Sequence, residues 1–265
     1  MKTYSFAIYT RTESLVIFGK GMLKNKFISA KGRLKIKFWI VLIPCFVLSS
    51  CAYRYTLYSK EFSEIAYSNR HHQAIYVKYK AVQSEQDNSV KRTNDFRVDY
   101  AVDSTITLKS YKGSGYDRGH LKPAAISKTS EDEMRESFLM SNISPQKDRF
   151  NRVVWKKYEG YERKLLKKYG NIVVYTGTIL PKGFPRKLKG SKITIPKAYF
   201  KSILLPDSSS VNFIVFHSLK NGEVKEKFTT INHIEKQLGI DLFQDLPDSL
   251  ENKLVTKDEM FRLLE

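Results

Sequence analysis

The chain has 265 residues, enough for one large domain or two small ones, and 42% of them are apolar, which excludes an intrinsically disordered protein. Its formal net charge is +19, of which residues 1–50 carry +8 and residues 51–265 carry +11. Such a basic excess favours a polyanionic partner, nucleic acid before others, while a merely soluble basic surface is the alternative that charge alone leaves open.

Residues 31–51 have the pattern of an export signal. A cationic stretch at 31–37 precedes an apolar core at 38–48, and small residues follow the core. This order is typical of a secretory signal peptide, and the core is too short for a comfortable membrane span. Met22 is a better start than Met1 for a signal of ordinary length.

The end of this signal contains both cysteines of the chain, Cys45 and Cys51, from which no disulfide framework or zinc cluster can be built. The segment Leu48-Ser-Ser-Cys51 resembles the lipobox of bacterial lipoproteins. This resemblance implies an exported protein of the cell envelope, lipid-anchored to a membrane at Cys51. A plain signal peptide and an N-terminal membrane anchor are the alternatives.

The pattern of the chain divides it into four regions: an export segment (1–50), a tether (51–73), one domain (74–246) and a C-terminal tail (247–265). The tether is predicted because its residues are polar and weakly patterned. Within it, the pair His71-His72 is expected to be solvated rather than to bind a metal ion. The domain is predicted as one unit because no linker or internal repeat interrupts it.

The first half of the domain mixes a strand, a loop and a short helix. Ala74 to Val82 alternates as a strand does. A glycine-containing loop follows at 111–120. Ser130, with Glu133 three residues later, indicates a helix start. Residues 142–146 are predicted to form a turn because they contain a proline.

Residues 148–169 repeat apolar side chains at helical spacing, and Gly170 is a typical helix end. Asn151, Trp155 and Glu159 recur at every fourth position, so we expect them on one face of this helix. Trp155 is predicted to anchor the helix by packing rather than to stack on a nucleic-acid base.

Three strand-like runs with Pro- and Gly-rich connections follow at 172–180, 198–205 and 211–217. The basic loop 182–192 suits phosphate contacts, although a solvated loop is the simpler explanation. Residues 229–239 predict a capped helix. His217 and His233 are predicted to be structural.

Three groups of residues, in this order and spacing, resemble the DNA/RNA non-specific endonuclease family, which has a ββα-metal active site. They are Asp117-Arg118-Gly119-His120, then Ser141-Asn142-Ile-Ser-Pro-Gln146, then Asn151 with Trp155 and Glu159. A looser match extends upstream to Arg92 and downstream to residue 241. The resemblance implies an α+β fold with a central antiparallel sheet flanked by helices, and with the metal-site helix packed on the sheet.

The resemblance also implies a role for each residue of the site. The family's active-site histidine falls on His120, its directly metal-binding asparagine on Asn151, and its metal-site carboxylate, which acts through water, on Glu159. Its phosphate-contacting catalytic arginines fall on Arg118 and Arg92. A last group of positions orients the site: Asp117, Asn142 and Gln146.

These residue types suit phosphodiester hydrolysis. An imidazole with a pKa near ~6.5 can take a proton from water, and arginines can balance charge that grows on phosphate oxygens. Mg²⁺ retains waters, so one amide oxygen can suffice as its direct protein ligand, and Mn²⁺ or another divalent cation is the alternative. The resemblance implies DNA and RNA as substrates and 5′-phosphate ends as products.

Two other functions fit some of the same residues. One is a catalytically inactive surface lipoprotein that captures nucleic acid, and the other is a metal-dependent phosphodiesterase for small substrates. The intact set of His120, Asn151 and Glu159 argues against the inactive protein, because binding alone needs no metal site. The sequence makes no prediction of oligomeric state or of a preference between DNA and RNA.

Overall fold

The structure is a computed structural model that describes residues 54–83, 90–102, 106–220 and 223–264, all of which belong to one compact unit. The predicted export segment and Cys51 lie outside the described residues. No helix in the described part of the chain is both long and apolar enough to cross a bilayer.

A sheet of seven strands lies at the centre of the described unit. In spatial order the strands are β1 (Thr56–Ser59), β2 (Glu64–Ser68), β3 (Gln73–Val82), β6 (Asn171–Ile179), β7 (Ala198–Leu204), β8 (Ser210–Lys220) and β9 (Glu223–Phe228). Every neighbouring pair is antiparallel. Strands β4 (Asp117–His120) and β5 (Ile143–Gln146) form a separate antiparallel pair.

Five α-helices accompany the strands in the described residues: α1 (Glu131–Ser137), α2 (Lys156–Tyr169), α3 (Ile231–Leu238), α4 (Asp248–Glu251) and α5 (Lys257–Leu264). The predicted caps of the first and third are confirmed. The Glu133 backbone N–H donates to Ser130 Oγ at 3.1 Å, and the His233 backbone N–H donates to Thr230 Oγ1 at the same distance. Gly239 ends α3 in the left-handed conformation, at φ 67°.

Both faces of the sheet are covered, because successive side chains of a strand point to opposite sides. Val174 and Tyr199 belong to the apolar cluster that includes α2, whereas Tyr175 and Phe200 belong to the cluster that includes α3. The predicted α+β fold, with a central antiparallel sheet between helices, is confirmed.

The tether prediction for residues 51–73 is wrong for the described part of that segment. Strands β1 and β2 extend the sheet there, and Ile65, Ala66 and Tyr67 are buried. His71 is also buried, with Nδ1 3.0 Å from Thr194 Oγ1, and burial lowers its pKa to about 4. The prediction failed because short strands gain their stability from sheet pairing, which a weak local pattern does not show.

Two further sequence expectations need correction. The predicted C-terminal tail contains α4 and α5, and Val255 and Met260 pack into the core. Residues 143–146, expected in a turn, form β5, in which Pro145 pairs with Arg118 across the hairpin. The Pro145 carbonyl accepts a hydrogen bond from the Tyr199 hydroxyl at 2.7 Å, so this strand is fixed to the main sheet. Strand β9 was not predicted.

A fully buried ion pair joins α2 to the sheet. Lys201 Nζ of β7 lies 2.7 Å from Glu162 Oε2 of α2, and neither side chain is exposed. The Tyr79 hydroxyl donates to Glu162 Oε1 at 2.5 Å, and Lys201 Nζ lies 5.1 Å from the centroid of the Trp155 ring. A buried charge that loses its partner has no water to replace it.

We therefore expect Glu162→Gln to lower the free energy of unfolding by about 3–5 kcal/mol, because it leaves the Lys201 charge buried and unpaired. Urea denaturation measures the change. Lys257→Gln is the control, since it breaks the more exposed pair of Lys257 with Glu226 and should cost about 1 kcal/mol or less. Equal, small losses for both variants would contradict the expectation.

Candidate active site

A cavity of about 540 Å³ opens between the β4–β5 hairpin and the start of α2. The structure brings five predicted residues to its walls: Arg92, Arg118, His120, Asn151 and Glu159. It adds four cations that the sequence reading did not assign to the site: Lys128, Arg152, Lys156 and Arg163. On the sequence they look like the other basic residues of exposed helix faces and loops, so no local signal marks them.

His120 is the last residue of β4, and its ring lies in an aromatic cage. Ring centroids of Phe138 and Phe96 are 4.8 and 5.4 Å from that of His120. The Nε2 atom is buried and has no hydrogen-bond partner in the described part of the chain. Burial, and then the charges of Arg92 and Arg118, lower the pKa of His120 to about 3. The imidazole is therefore neutral at pH 7.

The helix on the other side of the cavity begins with a π-helical turn, Phe150–Trp155, that leads into α2. Asn151 and Glu159 both line the cavity, as predicted, but Trp155 does not share their face. It is fully buried, and its Nε1–H donates to the His120 carbonyl at 3.1 Å. The wider turn changes the helical spacing, and π turns of this kind are frequent at functional sites. The anchoring role of Trp155 is confirmed.

Asp117 orients Asn151. Asn151 Nδ2 donates to Asp117 Oδ2 at 3.1 Å, and Arg152 binds both carboxylate oxygens, with Nε and Nη2 at 2.8 and 2.9 Å. Partial burial alone would raise the pKa of Asp117, but the hydrogen bonds from Arg152 and Asn151 lower it below the ordinary value. Asp117 is thus a poor base, and Asn151 Oδ1 is left as an acceptor without a partner among the described residues.

Glu159 is the carboxylate of the cavity. Its burial is the main reason that its pKa is raised to about 7, and Glu162 raises it further, while Lys201 and Arg163 partly oppose the shift. A carboxylate in such a place ionises more readily when a cation is bound beside it.

Arg118 and Arg92 rest on the same aromatic rings that surround His120. The Arg118 guanidinium lies 4.3 Å from the centroid of the Phe96 ring, and that of Arg92 lies 5.2 Å from the Phe138 ring. Arg92 Nε also donates to Asn94 Oδ1 at 2.8 Å. Both cations are therefore held beside the imidazole by cation–π contacts.

Asn142 and Gln146 lie behind the hairpin rather than on the cavity wall. Asn142 Oδ1 accepts from the Lys122 backbone N–H at 2.8 Å, and its Nδ2 donates to the Lys122 carbonyl at 3.0 Å. Gln146 is buried against Gly119, where a Cβ atom would fall 2.2 Å from Gln146 Cδ. The glycine of the Asp-Arg-Gly-His segment is thus required because the buried Gln146 side chain packs directly against it.

The donor set fits a hydrated divalent cation. Asn151 Oδ1 and the Glu159 carboxylate supply hard oxygen donors on one side of the cavity, and the cavity leaves room for waters. Oxygen donors with several retained waters suit Mg²⁺ or Mn²⁺ better than softer metals.

Comparison with known proteins gives one consistent result. A family model described as DNA/RNA non-specific endonuclease matches residues 51–249. The chain is 32% identical over 189 residues to "Nuclease 1, mitochondrial" of Schizosaccharomyces pombe, a match that covers 63% of this chain and 59% of that protein. It is 29% identical over 170 residues to human "Endonuclease G, mitochondrial", covering 57% of this chain and 56% of the human protein. The chain thus spans under two thirds of either relative.

Further matches extend to bacteria and to a solved structure. The chain is 32% identical over 180 residues to a nuclease of Serratia marcescens, covering 63% of this chain and 67% of the other. A crystal structure of the EndoG/EndoGI complex aligns with a TM-score of 0.60 at 21% identity, over 76% of this chain and 92% of that chain. At that identity the likeness shows a shared fold.

The surroundings of His120 predict its titration. We expect its ring resonances to show no titration between pH 8 and pH 5, because burial and the arginines lower its pKa to about 3. Histidine side-chain NMR, assigned by comparison with His120→Gln, measures this. Since the unfolded chain takes up this proton near pH ~6.5, stability should fall as the pH drops below that value. A titration midpoint for His120 near pH ~6.5, the ordinary pKa of histidine, would show that its ring is not buried as described.

Proposed function

The chain belongs to the DNA/RNA non-specific endonuclease family, and on this premise we propose that it hydrolyses phosphodiester bonds of both DNA and RNA with a divalent cation. The observation that carries the proposal is the convergence of His120, Asn151 and Glu159 on one cavity whose other walls are basic. A neutral base, hard oxygen donors and guanidinium groups are the parts that hydrolysis of a phosphodiester needs.

His120 is the proposed general base. Its imidazole is neutral in the free protein, and the negative charge of a phosphodiester bound beside it offsets the charges of the two arginines and raises its pKa. The imidazole then accepts a proton from the attacking water as the bond to phosphorus forms. The bond from phosphorus to the 3′ oxygen breaks, the leaving oxygen takes a proton from water in the cavity, and the phosphate stays on the 5′ oxygen of the following nucleotide. Arg118 and Arg92 stabilise the charge that grows on the non-bridging oxygens, and each such donor is worth on the order of 10²-fold in rate.

Asn151 and Glu159 are the proposed holders of the cation, Asn151 through Oδ1 and Glu159 through water. A bound divalent cation such as Mg²⁺ supplies charge stabilisation at the phosphate and the leaving oxygen. Asp117 keeps the Asn151 amide in the required orientation, because a carboxylate can only accept the hydrogen bond from Nδ2.

Low sequence specificity follows from the groups in the cavity. Its polar walls consist of cations, one amide, one carboxylate and one imidazole, which suit phosphate and sugar rather than base edges. The second candidate function is an inactive protein that captures nucleic acid at the cell surface. The basic walls serve that function equally well, whereas the buried imidazole and the oriented amide have no use in it.

We propose the cell envelope as the location, with a lipid on Cys51 and the domain exported. The support is the lipobox-like segment 48–51 after an apolar core. We expect a radiolabelled lipid precursor to label the wild-type protein in bacterial cells and not Cys51→Ser. Cys45→Ser should be labelled normally and is the control, and equal labelling of both variants would contradict this anchor.

Plasmid nicking tests the enzymatic proposal. We expect the wild-type protein to nick and linearise plasmid with Mg²⁺ and not with EDTA. His120→Ala should be slower by about 10²–10⁴-fold, the usual contribution of a general base, and should still bind DNA in a filter assay. His233→Ala, on the exposed side of α3, is the control. Wild-type protein that binds DNA but never cuts it would favour the capture protein, and full activity of His120→Ala would exclude it as the base.

A metal-binding measurement tests whether Asn151 is the direct ligand of the cation, and it does not depend on enzymatic activity. We expect Asn151→Ala to weaken Mn²⁺ binding by about 100-fold, because it removes the direct ligand. Asp117→Asn should weaken it by roughly 10–100-fold, the usual effect of losing a partner that orients a ligand. Electron paramagnetic resonance titration measures both. Asn171→Ala, at the exposed start of β6, is the control, and unchanged affinity in Asn151→Ala would remove this residue as the ligand.

A further inference from the structure

A second cavity, of about 400 Å³, adjoins the catalytic one. Arg118 lines both cavities, so the two share a wall at the residue that faces the proposed reaction. The other walls of the second cavity are Leu108, Lys109, Tyr111, Lys112, Tyr116 and Asp117. The proposed function gives this space no role.

The walls of this second cavity are part of the folded core. Tyr111 and Tyr116 belong to an apolar cluster that includes Ile143 of β5, so the cavity is joined to the catalytic hairpin. The turn between the two tyrosines is ordered by Ser114, whose Oγ accepts a hydrogen bond from the Tyr116 backbone N–H at 3.2 Å. Gly113 and Gly115 have φ of 67° and 76°, which the turn requires.

The charge of the second cavity is positive. Lys109 and Lys112 are exposed, and neither forms an ion pair in the described part of the chain. The one acid, Asp117, is bound on both oxygens by Arg152, so it neutralises neither lysine. Lys109 and Lys112 therefore extend the basic surface of the catalytic cavity past Arg118 into the second cavity.

We propose that the second cavity is a substrate subsite for the sugar and phosphate of a nucleotide that flanks the scissile phosphate, with Lys109 and Lys112 as its phosphate contacts. This inference rests on the proposed function of the adjoining site. A strand that lies across both cavities passes Arg118, which places one phosphate in the catalytic cavity and a neighbour beside the lysines. Lysine acts on phosphate as a point charge, so the subsite adds affinity without reading the base.

Binding without catalysis tests the subsite directly. The probe is a labelled single strand of about 12 nucleotides, measured by fluorescence anisotropy in EDTA at several salt concentrations. We expect Lys109→Gln/Lys112→Gln to bind about tenfold more weakly at low salt. The slope of log K against log salt should become shallower by about 1.4, since each lost phosphate contact on a single strand contributes roughly 0.7.

The matched control removes two exposed lysines that line neither cavity. Lys236→Gln/Lys253→Gln changes α3 and the segment after α4, and should leave the slope as in the wild type. Equal slopes for the two double variants would overturn the subsite.

Cleavage separates a failed subsite from a failed function. With Mg²⁺, Lys109→Gln/Lys112→Gln should raise KM for the oligonucleotide several-fold and leave kcat/KM for bis(p-nitrophenyl) phosphate unchanged, because the small diester does not reach the lysines. A parallel loss on both substrates would mean that the lysines act on the catalytic cavity itself and would overturn the subsite. A wild-type protein that cleaves neither substrate contradicts the proposed function, and the binding slopes still decide the subsite.

Discussion

The hydrogen bond from the Trp155 indole to the His120 carbonyl joins the two halves of the site. These residues are 35 positions apart, one at the start of a helix and the other at the end of a hairpin strand. Trp155 is fully buried against Phe150 and Tyr199, so the bond forms where water cannot replace it, and its loss would leave a buried polar group unsatisfied. Asn151 lies in the same π-helical turn, four residues before Trp155, so this contact fixes the position of the carboxamide relative to the imidazole.

Burial and ion pairing shift the pKa values of the ionisable groups at the site in different directions. Asp117 binds Arg152 and Asn151 and so has a lowered pKa, whereas burial raises the pKa of Glu159 to about 7. Burial and the neighbouring arginines lower the pKa of His120. The surroundings of these two acids give them different electrostatic properties, which suit Asp117 to orienting an amide and Glu159 to facing a cation.

The sequence was informative where local chemistry decides the structure. Caps at Ser130 and Gly239 marked the ends of helices, and the Asp-Arg-Gly-His segment marked the site because its residue types are few and ordered. Strands β1 and β2 were missed because their stability comes from pairing within the sheet, β1 with β2 and β2 with β3. The π-helical turn was missed since it depends on where Trp155 packs, and the role of Arg152 was missed because only its contact with Asp117 distinguishes it from other exposed cations.

The convergence of His120, Asn151 and Glu159 on one hydrated cation is the central claim, and anomalous diffraction from a crystal of the protein soaked in Mn²⁺ tests it most directly. We expect one strong anomalous peak within direct bonding distance of Asn151 Oδ1, with Glu159 and His120 facing it across the same cavity. A peak at another site, with none beside Asn151, would contradict it.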